Sequence, residues 1–203
     1  TITVSFSYAQ ILDKDLEDKN ILVVYGGWEG HKPKLFAEKI ASWLKEKKAN
    51  VYISDTTSIY DNTKLMEKLD LIIQHITMSE ISENQINNLT KTIKNGAGLA
   101  GCHGGLGDSF RNDVDFQYMV GGQFVKHPGD NINYIVNIST KKDPITKDID
   151  DFNLTSEQYY MHIDPALEVL ATTKFTGKHD PWIKGVVIPV VWKKYYGKGR
   201  VFY

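Results

Sequence analysis

The chain has one cysteine, Cys102, in 203 residues. An intrachain disulfide is therefore impossible, and the expected setting is a reducing, cytoplasmic one. Charge of one sign is also scarce, with 24 Lys and Arg against 25 Asp and Glu for a net −1. Nucleic-acid binding needs clustered basic side chains to displace counterions from phosphates, so this balance argues against such a partner. Long apolar runs are missing. The longest, Gly185-Val186-Val187-Ile188-Pro189-Val190-Val191-Trp192, is far short of the roughly 20 residues of a membrane-spanning helix. No signal-peptide pattern opens the chain either, because Thr1 to Phe6 alternates polar and apolar residues as a strand does. A nucleotide-cofactor fingerprint is absent too: Gly26-Gly27-Trp28-Glu29-Gly30 lacks the G-x-G-x-x-G spacing.

What is present is ordinary globular material, 41% hydrophobic and 24% charged. Linkers, repeats and low-complexity tracts do not divide it, so residues 1–203 are expected to form one domain. Ile21-Leu22-Val23-Val24-Tyr25 is a continuous β-branched and apolar run, as in a strand buried on both faces of a parallel sheet. Pro33 suits the first turn of a helix whose apolar stripe would be Phe36, Ile40, Trp43 and Leu44. Short strands follow at Val51 to Ser54, Leu71 to Ile76 and Ala97 to Cys102. Between the last two lies a helix opened by the capping-box spacing Ser82-Glu83-Asn84-Gln85. This alternation implies right-handed βαβ crossovers and an α/β fold with a mostly parallel sheet. After Gly105 a helix over Phe110 to Val120 is expected, then mainly strands: Tyr134 to Ile138, Glu157 to Met161, Val169 to Thr172, Val186 to Tyr195 and Arg200 to Tyr203.

Ligands of open parallel sheets bind outside the carboxyl ends of the strands. Gly26 to His31, Thr77-Met78-Ser79 and His103 to Gly107 should all arrive at that rim. Ala100-Gly101-Cys102-His103-Gly104-Gly105 has the small residues that a sharp strand-to-helix elbow requires around one reactive side chain. With His103 at the apex, Gly101 and Gly105 flank it at two residues; with Cys102 there, Ala100 and Gly104 do. A plain glycine-rich loop with Cys102 as a small apolar filler is the third reading. Glu157 and His162 offer a carboxylate and an imidazole for acid–base work, against the alternative of a Glu157–Arg200 ion pair and a turn histidine. His127 lies on a loop before Pro128-Gly129, where it can reach a ligand, whereas His75 and His179 are expected to be structural or solvated. No two of the six histidines are close enough in sequence for a local zinc motif. No cofactor is fixed by the sequence; a divalent metal such as zinc would need a site assembled in space, with His31, His103 and His127 as candidates. Trp28, Tyr159, Tyr160, Trp182 and Trp192 supply aromatics against which the C–H face of a sugar packs.

Several segments resemble the ThuA (trehalose utilisation) family, in family order from about Asn20 onward. They are Gly26-Gly27-Trp28 with His31, Gly98-Leu99-Ala100-Gly101-Cys102-His103, and Gly121-Gly122-Gln123-Phe124-Val125-Lys126-His127-Pro128-Gly129. Asp143-Pro144-Ile145-Thr146, Ser156-Glu157-Gln158-Tyr159-Tyr160, Pro189-Val190-Val191-Trp192 and Tyr196 to Tyr203 continue the match. The resemblance implies a flavodoxin-like sheet of the class I glutamine amidotransferase type, with helices on both faces and β-rich decoration in the second half. In that superfamily the elbow carries a nucleophilic cysteine; ThuA-like proteins place a histidine there, matching His103. Glutaminase activity is then expected to be lost, because an imidazole cannot stand in for a thiolate with a separate base. The family usually ends its last strand with a Gly-His pair, which this chain does not reach, and Gly199 to Tyr203 suggests a sequence that continues. The expectation is a cytoplasmic protein of carbohydrate catabolism acting on a sugar or keto-sugar derivative. His103 and Glu157 are its catalytic pair, and Trp28, His31, His127, Tyr159, Tyr160, His162 and Trp192 bind substrate. A non-catalytic sugar-binding or regulatory module is the alternative. The expected partner is a small sugar ligand rather than nucleic acid or membrane, and a homo-oligomer is left open.

Overall fold

Alternate residues of the first strand face opposite ways, and here both directions are core. In the computed structural model, which describes residues 16–203, β1 (Asn20–Gly27) buries Ile21, Leu22, Val23 and Val24 completely. Ile21 and Val23 pack against the helix α1 (Pro33–Glu46), while Leu22 and Val24 join the larger cluster on the other face. The strand expected over Thr1 to Phe6 lies outside the described residues.

Helix α1 begins at Pro33 as expected, but the stripe it buries is rotated from the one expected. Ala37, Ala41 and Leu44 are buried, Phe36 and Ile40 are only half-buried, and Trp43 is exposed. Small alanines let the helix sit close to the sheet, and the bulky residues flank that seam. The chain continues through β2 (Asn50–Ser54), the short α2 (Thr63–Met66), β3 (Leu71–Thr77), α3 (Glu83–Lys94) and β4 (Gly98–Gly101). The capping box at the start of α3 forms in full. Ser82 Oγ accepts from the Gln85 amide at 3.3 Å, and Gln85 Oε1 accepts from the Ser82 amide at 3.2 Å. Replacing Ser82 by Ala should therefore cost about 1 kcal/mol of stability; an unchanged denaturation midpoint would show that the cap is idle.

Beyond β4 come α4 (Gly104–Gly107), α5 (Val114–Val120), β5 (Gly122–Lys126), β6 (Asn131–Ile138), β7 (Phe152–Glu157), β8 (Tyr160–Ile163), β9 (Glu168–Lys174), β10 (Val187–Tyr196) and β11 (Gly199–Phe202). The helix expected over Phe110 to Val120 is shorter, because Asp113 caps it by accepting from the Phe116 amide at 2.7 Å. Nine strands form one mixed sheet in the order β2-β1-β3-β4-β11-β10-β9-β6-β7. The first five are mutually parallel, and those from β10 to β7 run antiparallel to their neighbours. Gly197-Lys198 turns β10 back so that β11 slots beside β4, with Val201 opposite Leu99. The last strand in sequence thus lies mid-sheet and welds the two halves.

The single strand expected from Glu157 to Met161 is in fact two. β7 ends at Glu157, paired with Asn131, and β8 begins at Tyr160 and pairs with β5 in a separate two-stranded sheet. Buried Gln158 anchors the crossing by donating to Thr173 Oγ1 at 2.7 Å. Asp143 ties the β6–β7 connection to β10: it accepts from the Ile145 amide at 2.9 Å and forms an ion pair with Lys193. Among the described residues no helix is long and apolar enough to cross a membrane.

Candidate active site

The end of β4 decides which side chain stands at the elbow. His103 holds φ 53° and ψ −145°, a region that non-glycine residues enter only under strain and that clusters at functional positions. Cys102 has no positive φ, so the apex belongs to His103. Its flanking glycines are sterically required. A Cβ on Gly101 would sit 2.5 Å from the Gln74 carbonyl oxygen, and one on Gly105 would sit 2.1 Å from His75 Nδ1. The elbow is packed so tightly against β3 that its conformation is imposed.

The imidazole at that apex meets a carboxylate from the far half of the sheet. Glu157, at the last position of β7, has Oε2 3.0 Å from His103 Nε2, so Nε2–H donates to it. Two more imidazoles surround the same carboxylate. His31 Nε2 lies 3.7 Å from Oε2, and His127 Nε2 lies 3.8 Å from Oε1. His31, on a 3-10 turn after β1, is fixed from behind by Thr77 at the end of β3, with Nδ1 2.9 Å from Oγ1. His75 Nε2 reaches the His31 carbonyl at 3.4 Å, and the His75 ring stacks on Phe36. His127 Nδ1 is 3.2 Å from an Asp130 carboxylate oxygen, but too far out of line for a hydrogen bond, so that nitrogen is buried without a hydrogen-bond partner. The His31, His103 and Glu157 donor atoms lie within 4.8 Å of one another, which makes them the group that could hold a metal ion among the described residues.

Aromatic rings form one wall. Tyr159 stacks on His103 at 4.1 Å and touches Phe124 at 4.4 Å, and Trp28 sets its edge on His31 at 4.7 Å. A cavity of about 380 Å³ opens beside His103 and Glu157, lined among others by Tyr134, Phe152, Leu154 and Tyr203. Grooves of about 680 and 760 Å³ lie elsewhere, but neither reaches the elbow.

Burial and the neighbouring His31 hold the His103 pKa below its ordinary 6.5, outweighing the pull of Glu157 in the other direction. His103 is thus neutral near pH 7 and able to take up a proton. Burial and, next, the Glu157 carboxylate push the Tyr159 phenol well above its ordinary range, so it stays a donor. The Cys102 thiol is partly open to solvent, yet the protein packed around it raises its pKa, and no cation offsets this. It lacks the thiolate character of a nucleophile. His75 is also held below 6.5, chiefly by burial. As the pH falls below about 6.5, the unfolded chain binds protons that the folded His75 and His103 refuse. The stability they contribute is whole above that value and is lost in acid. Melting temperatures should therefore fall between about pH 7.5 and about pH 5.5; a constant or rising value would show that the rings are not held neutral.

Not every expected site residue reaches this place. His31, His103, His127, Glu157, Tyr159 and Trp28 are brought together. Trp192 is not: it is 0% exposed, stacks on Tyr203 at 3.9 Å and donates from Nε1 to the Val120 carbonyl at 3.0 Å. Core packing removes it from any ligand. Tyr160 is half-buried against Phe175, and His162 faces solvent on β8 opposite Gln123. The alternative Glu157–Arg200 pair does not form, and Arg200 is exposed. Thr77, which the sequence brings to the rim without assigning it a role, holds His31; Asp130 beside His127 carries no sequence signal.

The family model described as ThuA, trehalose utilisation, matches residues 20–203. No curated protein sequence matches the chain. Among solved structures, a ThuA-like protein from Bacteroides uniformis is similar, with TM-score 0.71 and 16% identity over 100% of this chain and 85% of the other. A second, from Parabacteroides merdae, gives TM-score 0.70 and 14% identity over 92% and 78%. A β-galactosidase from Bacillus circulans sp. alkalophilus contains a related fold, with TM-score 0.51 and 13% identity over 92% of this chain but only 28% of the enzyme. At these identities the structural likeness concerns the fold alone.

Proposed function

The chain belongs to the ThuA (trehalose utilisation) family, and from that premise we propose that it is an enzyme of carbohydrate catabolism that moves a proton on a sugar or keto-sugar derivative. Family membership supports the carbohydrate role. The 3.0 Å contact between His103, at a strained elbow, and Glu157 carries the chemistry. A neutral imidazole paired with a carboxylate can take a proton from a carbon next to a carbonyl or from a hydroxyl, and return it elsewhere. Tyr159, kept protonated by burial, can donate to a developing oxyanion. His31, His127 and Trp28 would orient the ligand, with the Trp28 ring offering a face to sugar C–H groups. The parallel order β2-β1-β3-β4 supports the flavodoxin-like reading of the scaffold. Glutamine hydrolysis is not expected, because the elbow offers an imidazole and the thiol beside it is not activated.

The test is a turnover screen of disaccharides and their keto derivatives by mass spectrometry, with the wild-type chain and with His103→Ala. Product from the wild type alone supports the proposal. Saturable sugar binding by calorimetry with no product from either chain would replace it with a binding module.

A further inference from the structure

The three imidazoles around Glu157 are arranged in a way that proton transfer alone does not require. His31 is clamped at Nδ1 by Thr77 and through its backbone by His75, and its Nε2 is then buried with no partner, 3.7 Å from a carboxylate oxygen. In either tautomer His31 Nε2 has no hydrogen-bond partner, and in the one where Nδ1–H donates to Thr77 it presents a lone pair to a negatively charged oxygen. Two electron-rich atoms held face to face in a partly buried site repel, unless something positive lies between them. His103 Nε2 completes the set, and all three donor atoms fall within 4.8 Å of one another. Ligands about 2.0–2.2 Å from one ion stand roughly 3–4 Å apart, so small side-chain adjustments would suffice.

We infer that His31 Nε2, His103 Nε2 and Oε2 of Glu157 form a binding site for one divalent transition-metal cation of the zinc or manganese class. Two imidazoles and a carboxylate suit such ions better than calcium or magnesium, which prefer all-oxygen surroundings. The Thr77 hydroxyl behind His31 is the outer partner that metal-bound histidines usually have, fixing tautomer and ring direction. Three protein donors leave coordination positions open, and adjacent hydroxyl and carbonyl oxygens of a keto-sugar could chelate there, with the ion polarising the carbonyl. The inference rests on the Glu157-centred site proposed above and gives His103 a different role from the proton acceptor described there. In the loaded site His103 becomes a ligand, and proton movement passes to the other oxygen of Glu157 and His127, 3.8 Å away.

Chelator-stripped chain titrated calorimetrically with zinc chloride, and separately with manganese chloride, tests this. The expected result is saturable binding of one equivalent per chain. His31→Ala and Glu157→Gln should abolish saturable binding. Thr77→Val, which leaves every ligand in place, should weaken binding about 10–100-fold, and this variant decides the matter if His31→Ala does not fold. Absence of saturable binding by the wild type, or wild-type affinity retained in both Thr77→Val and Glu157→Gln, would overturn the inference. The two proposals fail separately. A chain that binds no metal yet loses turnover in Glu157→Gln keeps the function and drops the ion, whereas stoichiometric metal with no sugar turnover does the reverse.

Discussion

Glu157→Gln should lower kcat on a turned-over sugar derivative by about 10²–10⁴-fold, the usual contribution of a positioned acid–base group, while leaving the fold intact. The amide has the same shape as the carboxylate and can still bond to His103, so stability should change little. What it loses is the charge that three imidazoles share, two of them within 3.7 Å of one oxygen, and the capacity to accept a proton. Removing the carboxylate also takes away an interaction that raises the His103 pKa, so the ring becomes a still weaker base. Steady-state kinetics alongside a thermal melt separate the two effects. A loss below tenfold with an unchanged melt would take Glu157 out of the chemistry.

Trp192→Ala should destabilise the protein by about 3–5 kcal/mol. The side chain is fully buried at the weld between the halves of the sheet, stacked on Tyr203 and bonded to the Val120 carbonyl at the end of α5. Truncation leaves a large void and an orphaned carbonyl, and both costs add. Denaturant unfolding measures this directly. If Trp192 instead served a sugar, stability would hold and KM would rise, an outcome incompatible with its burial.

Local signals, and the convergence of the strand-end loops on one rim, were legible in the sequence; the strand pairings of the β-rich half were not. The capping box at Ser82, the doubly buried run from Ile21 and the glycine pattern around the elbow each depend on neighbours a few residues apart, and all three appear in the structure. Choosing between Cys102 and His103 at the apex needed a backbone angle that glycine spacing alone permits at either position. The meeting of His103 with Glu157 spans 54 residues and depends on how β7 pairs with β6, far across the sheet. Alternation could not reveal that the stretch after Glu157 switches sheets at Gln158, because both pieces are extended. Trp192 was misplaced for a related reason: an aromatic in a β-rich segment has the same composition whether it lines a cleft or fills a core. In α1, likewise, only Leu44 of the large apolar residues expected in the stripe is fully buried, and the small Ala37 and Ala41 take the rest of the seam.

Proton exchange is the most direct measurement of the central claim. A keto-sugar bound by the wild-type chain, followed by proton NMR in deuterium oxide, should lose the signal of the hydrogen on the carbon next to its carbonyl faster than in buffer alone, with the Glu157→Gln chain matching buffer. Equal rates with and without the wild-type chain, at saturating ligand, would contradict a proton-moving role for His103 and Glu157.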